Sequence, residues 1–137
     1  MGGICVKNEA YLFDTHALLF WSNRTFVSEE FITFFDDQAQ KGHVYVSSIS
    51  FWEIALLVKK GRISMSDVQA WKNEILNNTD IRLVEPSASE MICSTLLPDY
   101  HKDPFDRLLI AQANQNKLLF VTKDKDIQRY EVGVFWI

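Results

Sequence analysis

Short apolar runs alternate with longer amphipathic stretches along most of this chain, and this alternation limits most strongly what it can fold into. The short runs have the length of buried strands, whereas the longer stretches repeat their apolar residues at the helical period. Strands that alternate with helices favour a parallel sheet covered by helices on both faces. The sequence therefore predicts an α/β fold with a central, mostly parallel sheet of about five strands.

The predicted elements divide the chain into one domain with a short leading segment. Ser28 is the expected N-cap of the second helix, and Gly42 and Gly61 are expected to end the second and third helices. Residues 1–10 are predicted to be a frayed N-terminal extension, and residues 11–137 a single domain. Strands are predicted at 11–13, 44–46, 81–84, 118–121 and 132–136, and helices at 15–21, 28–40, 50–60, 66–77, 87–96, 104–116 and 124–130.

Composition narrows the class of protein. The chain has 137 residues, 47% hydrophobic and 23% charged, which suits one domain with its own core. It shows neither a signal peptide nor an apolar run of membrane-spanning length, and Cys5 and Cys93 suggest neither a disulfide framework nor a zinc site. We therefore expect a cytoplasmic protein with no membrane partner.

The charge balance bears on possible partners. A net charge of −4 and a pI of about 5.3 argue against nucleic-acid binding through a broad basic surface. An enzyme that holds phosphates through metal ions and a local basic rim remains compatible with this charge.

Four acidic residues are expected to meet at one edge of the sheet. In open parallel sheets the functional site lies at the carboxyl ends of the strands. Asp14 follows the first strand and Asp124 follows the fourth. Glu53 and Asp106 are predicted in the first turns of the helices that begin near residues 50 and 104. Their convergence predicts an acidic cleft.

Each acid also has a structural interpretation as part of a helix start. Asp103 fits an N-cap followed by Pro104, with Asp106 at the third helical position, and residues 50–53 have capping-box spacing. Residues 122 and 124 fit a cap and a first-turn acid. Asp14 is the hardest of the acids to explain as a cap, because it lies between an apolar strand and the apolar segment 17–21.

Four carboxylates in one cleft would repel one another, and a hard divalent cation would relieve that repulsion. Mg²⁺ or Mn²⁺ prefers oxygen ligands, and one or two such ions can activate a water and stabilise the leaving oxygen of a phosphodiester. The acids together with one or two bound ions would thus suffice for hydrolysis without a His, Cys or Ser nucleophile.

Four blocks of this sequence resemble those of PIN-domain proteins, and most of all the VapC-type toxins of bacterial toxin–antitoxin pairs. The order and spacing of the blocks agree, over about residues 11–136. The third block, which contains DPFDRLLIAQA, is the most specific of them. The blocks are LFDTHALL at 12–19, SFWEIA at 50–55, HKDPFDRLLIAQA at 101–113 and VTKD at 121–124.

The resemblance implies a three-layer α/β/α fold and an Mg²⁺- or Mn²⁺-dependent endoribonuclease. It implies RNA as substrate, a small antitoxin protein as partner and a homodimer. Asp103 is accessory to the site or a helix cap. The catalytic and metal-binding residues that the resemblance implies are Asp14, Glu53, Asp106 and Asp124.

Several neighbours of the acids have two interpretations each. Thr15 and Thr122 could orient a carboxylate or bind a phosphate, or could serve a turn or cap. His16 and His101 are candidate substrate contacts, or structural residues. Arg107 could pair with a carboxylate or a phosphate, or form a surface ion pair.

The aromatic residues beside the acids, Trp21, Trp52 and Phe105, are expected in the core, with base stacking as the alternative. Since so many aromatic residues must share a small core, exposed apolar residues are expected around helices 28–40 and 66–77. Those two helices would then form the homodimer.

Three other classes of protein are weighed as alternatives. A receiver-type phosphoacceptor domain would need paired acids after the first strand, where only Asp14 stands. It would also need a phosphoacceptor aspartate after a middle strand, but the third strand ends in Val-Glu-Pro at 84–86. A haloacid-dehalogenase-like phosphatase would need an aspartate at position 16, which is His16. A non-catalytic PIN-like interaction module would be marked by the loss of one acid, and all four are present.

Overall fold

The computed structural model describes residues 9–137, so most of the predicted extension lies outside the described residues. Within this part of the chain, the predicted sequence of alternating strands and helices is confirmed. The elements are β1 (Tyr11–Phe13), α1 (Thr15–Asn23), α2 (Glu29–Gln40), β2 (Val44–Ser47), α3 (Ser48–Lys59), α4 (Val68–Asn78), β3 (Arg82–Val84), α5 (Ala88–Thr95), α6 (Pro104–Gln115), β4 (Leu119–Val121), a 3₁₀ turn (Ile127–Arg129) and β5 (Val134–Phe135).

The five strands form one sheet in the order β3-β2-β1-β4-β5, and every pair of neighbours is parallel. The chain moves outward from β1 to β2 and β3 on one side, then crosses to β4 and β5 on the other. Between β1 and β4, Phe13 pairs with Val121, which aligns the carboxyl ends of both strands. The strand order reverses at this point, which in such sheets opens a crevice for ligands.

Both faces of the sheet are covered, as the predicted three-layer α/β/α fold requires. Tyr11 and Phe13 of β1 pack on one face in a cluster that includes Phe31 and Phe35 of α2. Leu12 points to the opposite face, where its cluster includes Leu109 of α6. The alternation follows from the two-residue period of a strand, and it holds β1 rigidly at the centre.

Several element boundaries depend on single side chains. The Ser28 Oγ accepts a hydrogen bond from the Phe31 amide at 3.0 Å, as predicted for an N-cap. The predicted start of α4 at residue 66 is wrong, because Asp67 is the cap and accepts from the Ala70 amide.

The predicted helix 124–130 is also wrong, since only one 3₁₀ turn forms there. The Asp124 Oδ1 accepts a hydrogen bond from the Asp126 amide at 2.9 Å. Such a local turn competes with the start of an α-helix.

Of the large exposed apolar side chains in the described residues, Phe26 lies just before α2, as expected around that helix, and none lies next to α4. In residues 9–137 no large exposed apolar side chain lies within either helix. The large apolar side chains that are exposed in this part of the chain are Phe26, Trp52, Leu83, Met91, Ile92, Leu96 and Tyr100. The same part of the chain contains no helix that is both long and apolar enough to cross a membrane.

Candidate active site

Asp14 lies where β1 passes into α1. Its Oδ1 accepts a hydrogen bond of 2.6 Å from the Ala17 amide, so Asp14 is the N-cap of α1. The expectation that Asp14 resists a capping interpretation is therefore wrong. Burial raises the pKa of Asp14, whereas hydrogen bonds from the Ala17 amide and the Thr122 side chain lower it. The cap thus holds a buried carboxyl group at the carboxyl end of the central strand.

Glu53 lies in the second turn of α3, not in the first as predicted. Because β2 runs directly into α3, the N-cap is Ser47, whose Oγ accepts from the Ile49 amide, and the capping box predicted at 50–53 does not form. Instead the Thr15 hydroxyl donates to Glu53 Oε1 at 2.6 Å. Burial raises the pKa of Glu53, and the hydrogen bond from Thr15 opposes that rise.

Asp103 and Asp106 begin α6, as predicted, but they differ in what they contact. The Asp103 Oδ1 caps the helix by accepting from the Phe105 amide at 2.9 Å. The Asp106 Oδ2 lies 3.0 Å from Nε2 of His101 instead. Burial first, then the negative charges of the neighbouring acids with Asp103 foremost, raises the pKa of Asp106 to about 8.

Asp124 completes the group from the turn after β4. Its Oδ2 lies 3.5 Å from His101 Nε2, and its amide donates to the Thr122 Oγ1 at 3.1 Å. Thr122 therefore does not cap a helix as one interpretation proposed. It is fully buried and holds the turn that carries Asp124.

Three side chains in the described residues have the spacing of a possible cation site, and neither Asp14 nor Glu53 is among them. His101, Asp106 and Asp124 each offer one ligand atom, and these atoms lie within 4.8 Å of one another. The charges of Glu53, Asp14 and Asp124 all act on Asp106, so the acids share one field of repulsion that a cation would relieve. Carboxylate oxygens are also the ligands that Mg²⁺ and Mn²⁺ prefer.

A cleft of about 500 Å³ opens at this edge of the sheet. Two of its lining residues, Lys123 and Lys125, were missed by the sequence reasoning. They flank Asp124 directly, so the alternation of Lys and Asp after β4 was the signal that could have revealed them. The lining residues are Asp14, His16, Phe20, Asp106, Lys123, Asp124, Lys125 and Ile127.

The remaining candidates divide between the cleft and its support. His16 is exposed and lines the cleft, and His101 bridges two acids. The structure does not bring Arg107 to the cleft. Its nearly buried guanidinium donates to the backbone carbonyls of Leu97 at 2.8 Å and Pro98 at 2.9 Å. Arg107 therefore fixes the loop before α6, which carries His101.

Together these features define a three-layer α/β/α domain with a carboxylate-lined cleft at the switch point of a parallel sheet. The family model described as the PIN domain matches residues 11–133. The chain therefore belongs to the PIN domain family, and the receiver and haloacid-dehalogenase alternatives are wrong.

Similar proteins include the Ribonuclease VapC22 of Mycobacterium tuberculosis (strain ATCC 25618 / H37Rv). It is 27% identical over 125 residues, which cover 87% of this chain and 90% of the relative. VapBC2 from Rickettsia felis, solved with a DNA fragment from its promoter, has a chain that matches with a TM-score of 0.71 at 16% identity, covering 93% of this chain and 98% of that one. FitAcB from Neisseria gonorrhoeae matches with a TM-score of 0.62 at 20% identity, and the match covers 91% of this chain and 96% of that one. These two likenesses show the fold.

Proposed function

We propose that this protein is a metal-dependent endoribonuclease that hydrolyses RNA phosphodiester bonds as the toxin of a type II toxin–antitoxin pair. One observation carries the proposal: Asp14, Asp106 and Asp124 line one cleft, and the charge of Glu53, from a fourth part of the chain, also acts on Asp106. The similarity to a protein named Ribonuclease VapC22 supports RNA as the substrate.

Asp14, Glu53, Asp106 and Asp124 are the proposed ligands of Mg²⁺ or Mn²⁺. When bound, the ion supplies a Lewis acid for the phosphodiester and lowers the pKa of a water that it holds. The protein contributes orientation: Thr15 holds the carboxyl group of Glu53, and Thr122 holds the turn that carries Asp124. Because Asp14 caps α1, its side chain is already fixed before any ion arrives.

The basic side of the cleft is the proposed contact for the RNA backbone. Lys123 and Lys125 project beside the acids, and His16 lines the same cleft. Phosphate binding by a few local cations does not require a basic protein, so the net charge of −4 is compatible with this substrate. His101 is a proposed further contact, whereas the position of Arg107 favours a structural role.

The antitoxin partner and the homodimer belong to the same proposal. Their support is that the similar solved structures include a toxin–antitoxin complex from Klebsiella pneumoniae and VapBC2 bound to DNA. For a second copy of the chain, the exposed apolar residues Met91, Ile92 and Leu96 on and beside α5 replace the surface predicted on α2 and α4. A cytoplasmic location stays a prediction.

The test is an RNA cleavage assay with the purified protein. Cleavage of single-stranded or loop RNA should require Mg²⁺ or Mn²⁺ and should stop when EDTA is added. Attack by water would leave 5′-phosphate ends, whereas attack by the RNA 2′-hydroxyl would leave cyclic phosphates. Cyclic ends or full activity in EDTA would refute the mechanism, and binding without cleavage would favour the non-catalytic module.

A further inference from the structure

Trp52 is an exposed aromatic residue that directly precedes Glu53 in the chain. Its relative exposure is 62%, although it was expected in the core, where Trp21 does lie. The Trp52 ring packs against Phe105 with ring centroids 5.1 Å apart and an interplanar angle of 74°. This edge-to-face contact fixes the orientation of the ring while much of its surface stays open to solvent.

The position of this pair follows from its neighbours in the chain. Trp52 immediately precedes Glu53 on α3, and Phe105 immediately precedes Asp106 on α6. Since Glu53 and Asp106 are close enough for their charges to interact, the two aromatic rings meet across the same pair of helices. The Trp52–Phe105 pair, here named the aromatic platform, therefore borders the acids.

The basic residues of the cleft belong to a different part of the site. Lys123 and Lys125 come from the turn after β4, whereas the aromatic platform comes from α3 and α6. Each group adjoins acids in the chain, since the two lysines flank Asp124 and the platform residues precede Glu53 and Asp106. A chain that crosses the acids can therefore place a phosphate near the lysines and an adjacent group on the platform.

We propose that the aromatic platform is a subsite that stacks one nucleobase of single-stranded RNA next to the scissile phosphate. This inference rests on the proposed ribonuclease function. Aromatic side chains bind bases of any sequence through their π-faces, and bases are free to stack in this way only where the RNA is unpaired. A ring already held by Phe105 loses little side-chain entropy when a base binds.

A nucleobase fits this surface better than a protein segment does. The platform consists of one exposed ring and its support, bordered by the acids of the cleft, and it lacks the extent of an apolar interface core. Its two residues also directly precede Glu53 and Asp106, which are proposed ligands of the ion. Coverage by a second copy or by an antitoxin segment is the alternative that the experiment must exclude.

The experiment combines Trp52→Ala with abasic substitution in a short single-stranded RNA that the wild-type protein cleaves. Trp52→Ala should raise KM about 5- to 100-fold, since stacking contributes about 1–3 kcal/mol per base, with a smaller change in kcat. Trp52→Phe should retain most of the binding. An abasic site at one position next to the cleaved bond should weaken wild-type binding equally and have no further effect on Trp52→Ala.

Leu83→Ala is the matched control, because Leu83 is also an exposed apolar residue, at 41%, but lies on the edge strand β3. It should leave KM unchanged. A KM of Trp52→Ala equal to that of the wild type would refute the base-stacking proposal. The same conclusion would follow if the effect of an abasic site added to the effect of Trp52→Ala at every RNA position. Either result would leave the proposed nuclease function intact. A change of oligomeric state in Trp52→Ala, measured by light scattering, would assign Trp52 to a protein interface instead. If the wild-type protein neither binds nor cleaves RNA, the proposed function itself fails.

Discussion

Thr15 at the start of α1 donates a hydrogen bond of 2.6 Å to Glu53 on α3, which lies 38 residues further along the chain. The bond joins the first two of the four sequence blocks, 12–19 and 50–55, across the edge of the sheet. It also holds the carboxyl group of Glu53 from outside α3, where the sequence alone allowed a capping role. The same hydroxyl lies 3.2 Å from the Ser50 Oγ, so the start of α1 is tied to α3 twice.

Thr15→Val should weaken Mg²⁺ and Mn²⁺ binding by at least about tenfold. The hydrogen bond stabilises the ionised form of Glu53, and a hydrogen bond to a charged group contributes about 1.5–3 kcal/mol. Its loss raises the pKa of Glu53 further. Titration calorimetry should show the weaker binding, and Thr15→Ser should restore it. Equal affinity in the valine variant would show that Thr15 only stabilises the fold.

Asp106→Asn should abolish RNA cleavage and raise the melting temperature of the metal-free protein. Asparagine removes the cost of burying this carboxyl group beside other acids, whereas a merely dipole-stabilising acid would contribute about 0.3–1 kcal/mol and its loss would lower stability. Mg²⁺ should stabilise the wild type more than the variant. Melting curves with and without Mg²⁺ and a cleavage assay test these points.

Asp67→Asn is the control for Asp106→Asn. Asp67 caps α4, so the control removes the same charge at another helix N-terminus, and asparagine caps equally well. It should retain cleavage and show little change in melting. A destabilised, fully active Asp106→Asn would mean that a structural acid had been taken for a catalyst.

The stability of the metal-free protein should fall between about pH 4 and about pH 8. The folded-state pKa of Asp106 is raised from 3.8 to about 8, so the folded protein binds this proton more tightly than the unfolded chain does. The resulting loss of folding stability is absent below pH 3.8, the pKa of Asp106 in the unfolded chain. It grows as the pH rises and is complete above about pH 8. Urea denaturation across this pH range should show that the free energy of unfolding falls less for Asp106→Asn than for the wild type. Identical profiles for the two proteins would contradict the raised pKa.

Arg107→Lys should destabilise the protein by about 1.5–3 kcal/mol without a specific loss of RNA affinity. A lysine cannot reproduce the fork that contacts several carbonyls of the loop before α6. Urea denaturation measures the stability, and hydrogen exchange should show a looser loop 97–102. Unchanged stability with weaker, less salt-dependent RNA binding would identify Arg107 as a phosphate ligand after all.

Lys125→Ala should weaken RNA binding while leaving the melting temperature unchanged. Lys125 is exposed and lines the cleft, so its proposed contribution is one phosphate contact. The slope of log affinity against log salt should decrease in magnitude by about 0.7, as expected for one contact on a single strand. Lys59→Ala, at the exposed end of α3, serves as the control and should keep the wild-type slope.

Much of the fold could be predicted because its signals are local and periodic. The apolar runs around Leu12, Val46 and Phe120 identified three buried strands, and Ser28 marked a helix start. The rule that parallel strands end at one edge then predicted the acidic cleft, which the structure forms from Asp14 and its partners. These inferences need only neighbours in the chain and the general topology of parallel sheets.

The sequence by itself thus determined the strands, the helices and the edge at which the acids gather. Only the tertiary structure decided that Arg107 supports a loop, that Glu53 is held by Thr15 and that Trp52 stays exposed. The physical reason is distance along the chain. Periodicity reports which face of an element is buried, whereas hydrogen-bond partners and exposure depend on how elements far apart in sequence pack against one another.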